Sequence, residues 1–153
     1  MSSYTATIRW TRDPSTDFTR GQYSRGHTWE FDGGVTVPAS PSPHIVPAPW
    51  SDPNGVDPEE AFVASLSSCH MLFFVDYARR AGFIVDSYLD EAEGVLEKRA
   101  DGKMWMSRVS LRPQVQFSGD KQPTAAEIEH LHYRAHEDCF IANSVTTEVT
   151  VEA

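Results

Sequence analysis

A run of uncharged, mostly apolar residues in the middle of the chain, Ala61 to Val75, constrains the fold more than any other feature. It follows Asp57-Pro58-Glu59-Glu60, a strong helix start. Asp57 can cap the first turn, Pro58 suits the first helical position, and Glu60 sits where a capping box needs its carboxylate. The helix should run to about Ala81 and stop at Gly82. Its interior, AFVASLSSCHMLFFVDYA, is apolar on nearly every face, which marks a helix surrounded by protein. In a chain of 153 residues such a helix must pack on a sheet and on a partner subunit. The charge-free stretch is too short to span a bilayer and is interrupted by Ser65, Ser67, Ser68 and His70, so no membrane partner is expected.

The segments around this helix read mainly as strands. Tyr4–Trp10 alternates, with Tyr4, Ala6, Ile8 and Trp10 on one face. Gly26–Phe31 and Val35–Val37 are joined by the reversal Asp32-Gly33-Gly34. Residues 38–57 hold six of the ten prolines, an ordered-loop composition read as a cover rather than a tether. Ile84–Lys98 and Met104–Phe117 look like two long strands joined by a hairpin at Asp101-Gly102. A second helix opens with a capping box, Thr124 to Glu127. It carries the apolar stripe Ile128, Leu131, Ala135, Cys139. Val145–Val151 is the last strand. The order predicts one α+β domain over 1–153, with helices on one side of an antiparallel sheet.

Thirteen basic against twenty-two acidic side chains give a formal charge of −9, which repels a phosphate backbone, so nucleic acid is a poor partner. The N-terminal residues lack the basic-then-apolar order of a signal peptide, and a cytoplasmic location is expected. Two cysteines in a reducing compartment are unsuited to a permanent structural disulfide; they are either small core residues or reactive ones.

Cys69 lies mid-helix, in Ser67-Ser68-Cys69-His70. A nucleophilic cysteine must be a thiolate, and apolar burial alone opposes ionisation. Cys69 is too far from the helix N-terminus for the dipole to help, so an arginine must come from elsewhere. Arg25 and Arg20 are the candidates, with Arg25 favoured. Cys139 stands 70 residues on and can meet Cys69 only if the two helices pack. A rival constellation, His132, His136 and Cys139 at i, i+4 and i+7, could hold a metal. HYRAH lacks the glutamate of HExxH, which excludes the zinc-protease class. Otherwise His132 and His136 edge the stripe and meet solvent. Adjacent helical residues point about 100° apart, so His70 does not face the Cys69 sulfur and reads as a buried, satisfied histidine.

The stretch from Asp57 to His70 resembles the family of osmotically inducible and organic hydroperoxide resistance proteins (OsmC/Ohr). There a Pro-Glu opens the central helix and the peroxidatic cysteine follows ten residues after the glutamate. Cys139-Phe140-Ile141-Ala142-Asn143-Ser144 is similar to the family's resolving-cysteine segment, usually Cys-Pro-x-Ser-Asn. Phe140 and Ala142 depart from it, and the Pro-rich segment is unlike the compact loop of the best-studied branches, which marks a divergent subgroup. The resemblance implies a cysteine peroxidase without metal, haem or flavin. Cys69 would attack an organic hydroperoxide, Cys139 would resolve the sulfenic acid as a disulfide, and a lipoylated protein or small thiol would reduce it. Arg25 would hold the thiolate and Glu59 would orient the arginine. Glu59 and Cys69 are about 15 Å apart along one helix, so Glu59 would serve the cysteine of another chain in an intertwined homodimer. The competing readings are a module of the same fold that binds a small apolar ligand, and the His/Cys metal protein.

Overall fold

A computed structural model describes residues 1–153. The chain forms two compact units, Met1–Ala61 and Phe62–Ala153. Three antiparallel strands in sequential order make up the first: β1 (Thr7–Arg9), β2 (His27–Glu30) and β3 (Thr36–Ala39). The regular part of the first strand is shorter than the alternating stretch Tyr4–Trp10, although Ile8 pairs with Trp29. The expected reversal closes β2 onto β3, with Phe31 N–H bonded to Val35 O and Gly34 N–H to Phe31 O.

The Pro-rich segment is ordered by its small polar residues. Ser40 Oγ accepts from Asp52 N–H at 2.7 Å and donates to Pro41 O, while Ser51 Oγ donates to Val46 O. Val56 returns to the end of β3, where it bridges Ala39. Ser40, Ser42, Ser51 and Asp57 are buried here, while Ala39 is the only buried apolar side chain of this unit.

Helix α1 (Pro58–Arg80) begins as expected: Asp57 Oδ1 accepts from Glu60 N–H at 2.7 Å and Glu60 Oε2 from Asp57 N–H. Its C-terminus is a Schellman turn, with Phe83 N–H on Ala78 O and Gly82 N–H on Arg79 O. Gly82 has φ +87°, the left-handed geometry that stops the helix there. Within one chain α1 is not covered all round. Leu66, His70, Phe74, Tyr77 and Ala78 form one buried stripe, while Leu72 is 62% exposed. By length and composition the helix is long and apolar enough to cross a bilayer, contrary to the expectation from its charge-free core; its buried stripe packs against the two hydrophobic clusters of the second unit.

The second unit contains two further sheets rather than a share of one. Each predicted long strand is broken midway, into β4 (Ile84–Asp90) and β5 (Glu93–Lys98), and into β6 (Met104–Leu111) and β7 (Pro113–Ser118). β4 pairs with β7 and β5 with β6, so the expected hairpin is present but bent at one level. Asp90 makes the bend. Its Oδ1 accepts from Arg112 N–H at 2.6 Å and its other oxygen accepts from the Ser67 hydroxyl of α1. Pro113, which has no N–H to give, follows directly.

Helix α2 (Ala125–Asp138) starts at the predicted Thr124–Glu127 capping box and leads to β8 (Glu148–Val151). β8 joins β6 in parallel, a departure from the all-antiparallel expectation. Running β6 to β8 through α2 is a crossover, which makes parallel strands possible. One core places Phe74, Tyr77, Ala78 and Phe83 against Leu131 and Ala135, over Val85, Tyr88, Val115 and Phe117. The other sets Leu66 against Val109 and Leu111. The mixed α+β class with two helices is as expected.

Candidate active site

The second unit brings the two cysteines together across α1 and the end of α2. Cys139 is the C-cap of α2, with extended backbone, rather than its last helical residue. Its thiol is buried and lies close enough to Cys69, which is half-buried, to interact with it; both are free. Burial pushes the Cys139 thiol above its ordinary range, and the neighbouring Cys69 pushes it the same way. Backbone N–H groups oppose this, Ala142 N–H reaching the sulfur at 3.5 Å. The motif after Cys139 closes its own turn without the family's usual proline. Asn143 N–H returns to Cys139 O, Asn143 Nδ2 to Glu137 O, and Ser144 Oγ to Phe140 O. Phe140 is 70% exposed and meets Phe73 edge-on at 5.0 Å.

Beside the cysteines lies a buried pair absent from the sequence reading. His70 Nε2 and His132 Nδ1 are 3.0 Å apart, with the rings 9° from parallel. His132 also stacks on Phe74 at 4.1 Å. Placing His132 at the solvent edge of the stripe is therefore corrected: it is buried because His70 and Phe74 receive it, while His136 is half-buried and His130 is exposed. His70 is buried as expected but satisfied at one nitrogen only, since Nδ1 has no partner. Burial holds both histidines down to about 4; for His70 the neighbouring His132 and His136 add to it, and for His132 Asp90 opposes it. The metal constellation fails. No three His, Cys, Asp or Glu side chains converge to hold an ion, and His132 Nδ1 is already used by His70.

Arg25 and Glu59 lie in the first unit and line the same cavity, of about 490 Å³. Trp10, Phe18 and Tyr23 form its aromatic wall, with Phe18 and Tyr23 centroids 4.6 Å apart. Pro41, Ser42 and Ile45 of the Pro-rich segment close another side, consistent with reading it as a cover. The Arg25 guanidinium lies 3.8 Å over the Tyr23 ring and donates to Gly21 O and Tyr23 O. These contacts, not an ion pair with Glu59, fix it within one chain. Arg20 is instead an exposed partner of Asp17 at 3.5 Å. His27 Nδ1–H donates to Arg25 O, the tautomer set by Trp29 Nε1–H donating to His27 Nε2. Trp50, Phe62, Phe73 and Phe74 do not line it, and Phe74 is fully buried in the core. Trp10, on the predicted apolar face of the first strand, was the available signal for the true wall.

The family model for OsmC-like proteins matches residues 51–153, more than half of the chain. The chain belongs to the OsmC-like family. An OsmC-like protein of unknown function from Vibrio cholerae is 55% identical, with 99% of each chain covered and a TM-score of 0.97. Organic hydroperoxide resistance protein OsmC of Legionella pneumophila is 15% identical over 100% of both chains, with a TM-score of 0.68. OhrB of Bacillus subtilis, also an organic hydroperoxide resistance protein, is 19% identical over 99% of this chain and 97% of its own, with a TM-score of 0.67. At those identities the last two share the fold. No match was found among functionally curated proteins.

Proposed function

We propose that the protein is a thiol peroxidase that reduces organic hydroperoxides through Cys69 and Cys139. The observation that carries this reading is the approach of the two thiols to one another, although their residues stand 70 positions apart in the chain. The Cys69 thiolate attacks the terminal peroxide oxygen. The O–O bond breaks, Cys69 becomes a sulfenic acid, and the alkoxide takes a proton to leave as an alcohol. Cys139, kept as a thiol by its surroundings, supplies the hydrogen as its sulfur displaces the hydroxyl. A disulfide and water result. A dithiol, either lipoylated protein or small-molecule, then reduces the disulfide and is itself oxidised. No metal, haem or flavin takes part.

Arg25 stabilises the thiolate and the leaving oxygen, and the aromatic wall of its cavity receives the organic group. Glu59 acts on the arginine that serves the cysteine of a second copy, since about 15 Å of helix separates it from its own Cys69. The functional form is therefore a homodimer. Free thiols are counted before and after one equivalent of cumene hydroperoxide. Two thiols lost per chain is the expected result. Retention of both overturns the peroxidase and leaves the aromatic cavity as a binding site.

A further inference from the structure

His70 and His132 form a hydrogen bond whose cost stability alone does not explain. Both side chains are nearly inaccessible, at 1% and 4% exposure, and they meet through one nitrogen each. The remaining nitrogens, His70 Nδ1 and His132 Nε2, are buried without partners. Burying an unpartnered polar atom costs free energy, whereas two apolar side chains of similar size would hold the same helices together more cheaply. What an apolar pair lacks is direction. A bond between two nearly coplanar rings fixes both the separation of the helices and their rotation about their axes.

The position of the bond gives that direction a use. His70 follows Cys69 in α1, and His132 lies two turns before Cys139 in α2. A second tie complements it: Tyr77 Oη, two turns beyond Cys69, donates to Asp138, the residue before Cys139. Cys69 thus borders the histidine tie and Cys139 the tyrosine–aspartate tie, in a frame whose buried member is the histidine pair. Disulfide closure demands a narrow sulfur–sulfur geometry, and small misplacements of reacting groups are expensive in rate.

We propose that His70 and His132 are positioning residues, a clamp that sets the register of α1 against α2 so that Cys69 and Cys139 can close a disulfide. This rests on the reading of the two cysteines as a redox pair, but not on the peroxide as the oxidant.

The test measures the effective molarity of the cysteine pair in a glutathione redox buffer, on the full-length protein at neutral pH. The double variant His70→Leu/His132→Leu keeps an apolar contact and loses the bond; its effective molarity should fall at least tenfold. His132→Asn places an amide where Nδ1 lies, and His70→Gln places one where Nε2 lies; each should stay within threefold of wild type. A double variant within threefold of wild type overturns the clamp. So does a tenfold loss in His132→Asn or His70→Gln, which decides the matter even if the double variant does not fold. Wild-type cysteines that fail to pair in the redox buffer also overturn it. Wild-type cysteines that pair in the buffer but are not oxidised by cumene hydroperoxide overturn the peroxidase and leave the clamp standing.

Discussion

Cys69 and Cys139 have different surroundings, and the division of labour follows from that. Cys139 is buried and held protonated, while Cys69 is the more accessible sulfur. Cys69→Ser should therefore abolish hydroperoxide consumption, because a hydroxyl is not ionised at neutral pH and forms no sulfenic acid. Cys139→Ser should allow one turnover and then stall with Cys69 over-oxidised. Mass spectrometry after peroxide treatment distinguishes the two: no added oxygen on Cys69→Ser, and one to three on Cys139→Ser. The histidine pair adds a pH dependence. Both histidines have folded values near 4, below the ordinary 6.5, so between these limits the unfolded chain binds more protons. Their contribution is complete above about 6.5 and is lost as pH falls towards 4, on the order of 3 kcal/mol for one such group titrating alone. Thermal melts at pH 7 and pH 4.5 should show a smaller fall for His70→Leu/His132→Leu than for wild type.

Among the elements, α1 is held against β5 by an absence of side chain. A Cβ on Gly94 would lie 2.5 Å from Val63 Cγ2 and 2.6 Å from Met106 Cε. The Met106 methyl can swing away, but the branched Val63 on the helix cannot, so the helix itself must shift. Gly94→Ala should destabilise the fold by about 1–3 kcal/mol, read from the urea midpoint at unchanged slope. Local sequence made the elements legible where their signals are local. The two capping boxes, the Gly82 stop and the reversals at Asp32-Gly33-Gly34 and Asp101-Gly102 lie where composition placed them. Cys69 and Cys139 could be singled out for the same reason, since each carries a motif around it. Features that depend on distant partners were not legible. The bend between β4 and β5 needs Asp90 to reach both Arg112 and Ser67, and the burial of His132 needs His70 to face it. The parallel pairing of β8 depends on the path of α2.

At the scale of the whole molecule, the single chain leaves too much apolar surface in water. Its first unit has Ala39 as its only buried apolar residue, too little for 61 residues to be stable by themselves. Tyr4, Ile8 and Val35 there are 92%, 60% and 60% exposed, and Leu72 is exposed on the otherwise apolar α1. Covering such surfaces with a second copy of the chain is the ordinary remedy, and a two-fold axis lets each copy cover the other alike. Sedimentation should accordingly report twice 17.1 kDa at micromolar concentration. The arrangement of the site makes a stricter demand. If Glu59 serves the partner's Cys69, neither Glu59→Ala nor Cys69→Ser homodimers contain a complete site. Unfolding the two variants together and refolding them at equal concentration makes half of the dimers mixed. Each mixed dimer pairs one intact Glu59 with one intact Cys69 across the interface, and its other site lacks both. Hydroperoxide turnover should recover to about a quarter of wild type, above either parent, as expected for sites shared across an isologous interface. If each site lay within one chain, mixing would give only the average of the parents, and a fully active monomer in dilute solution would rule out the shared site altogether.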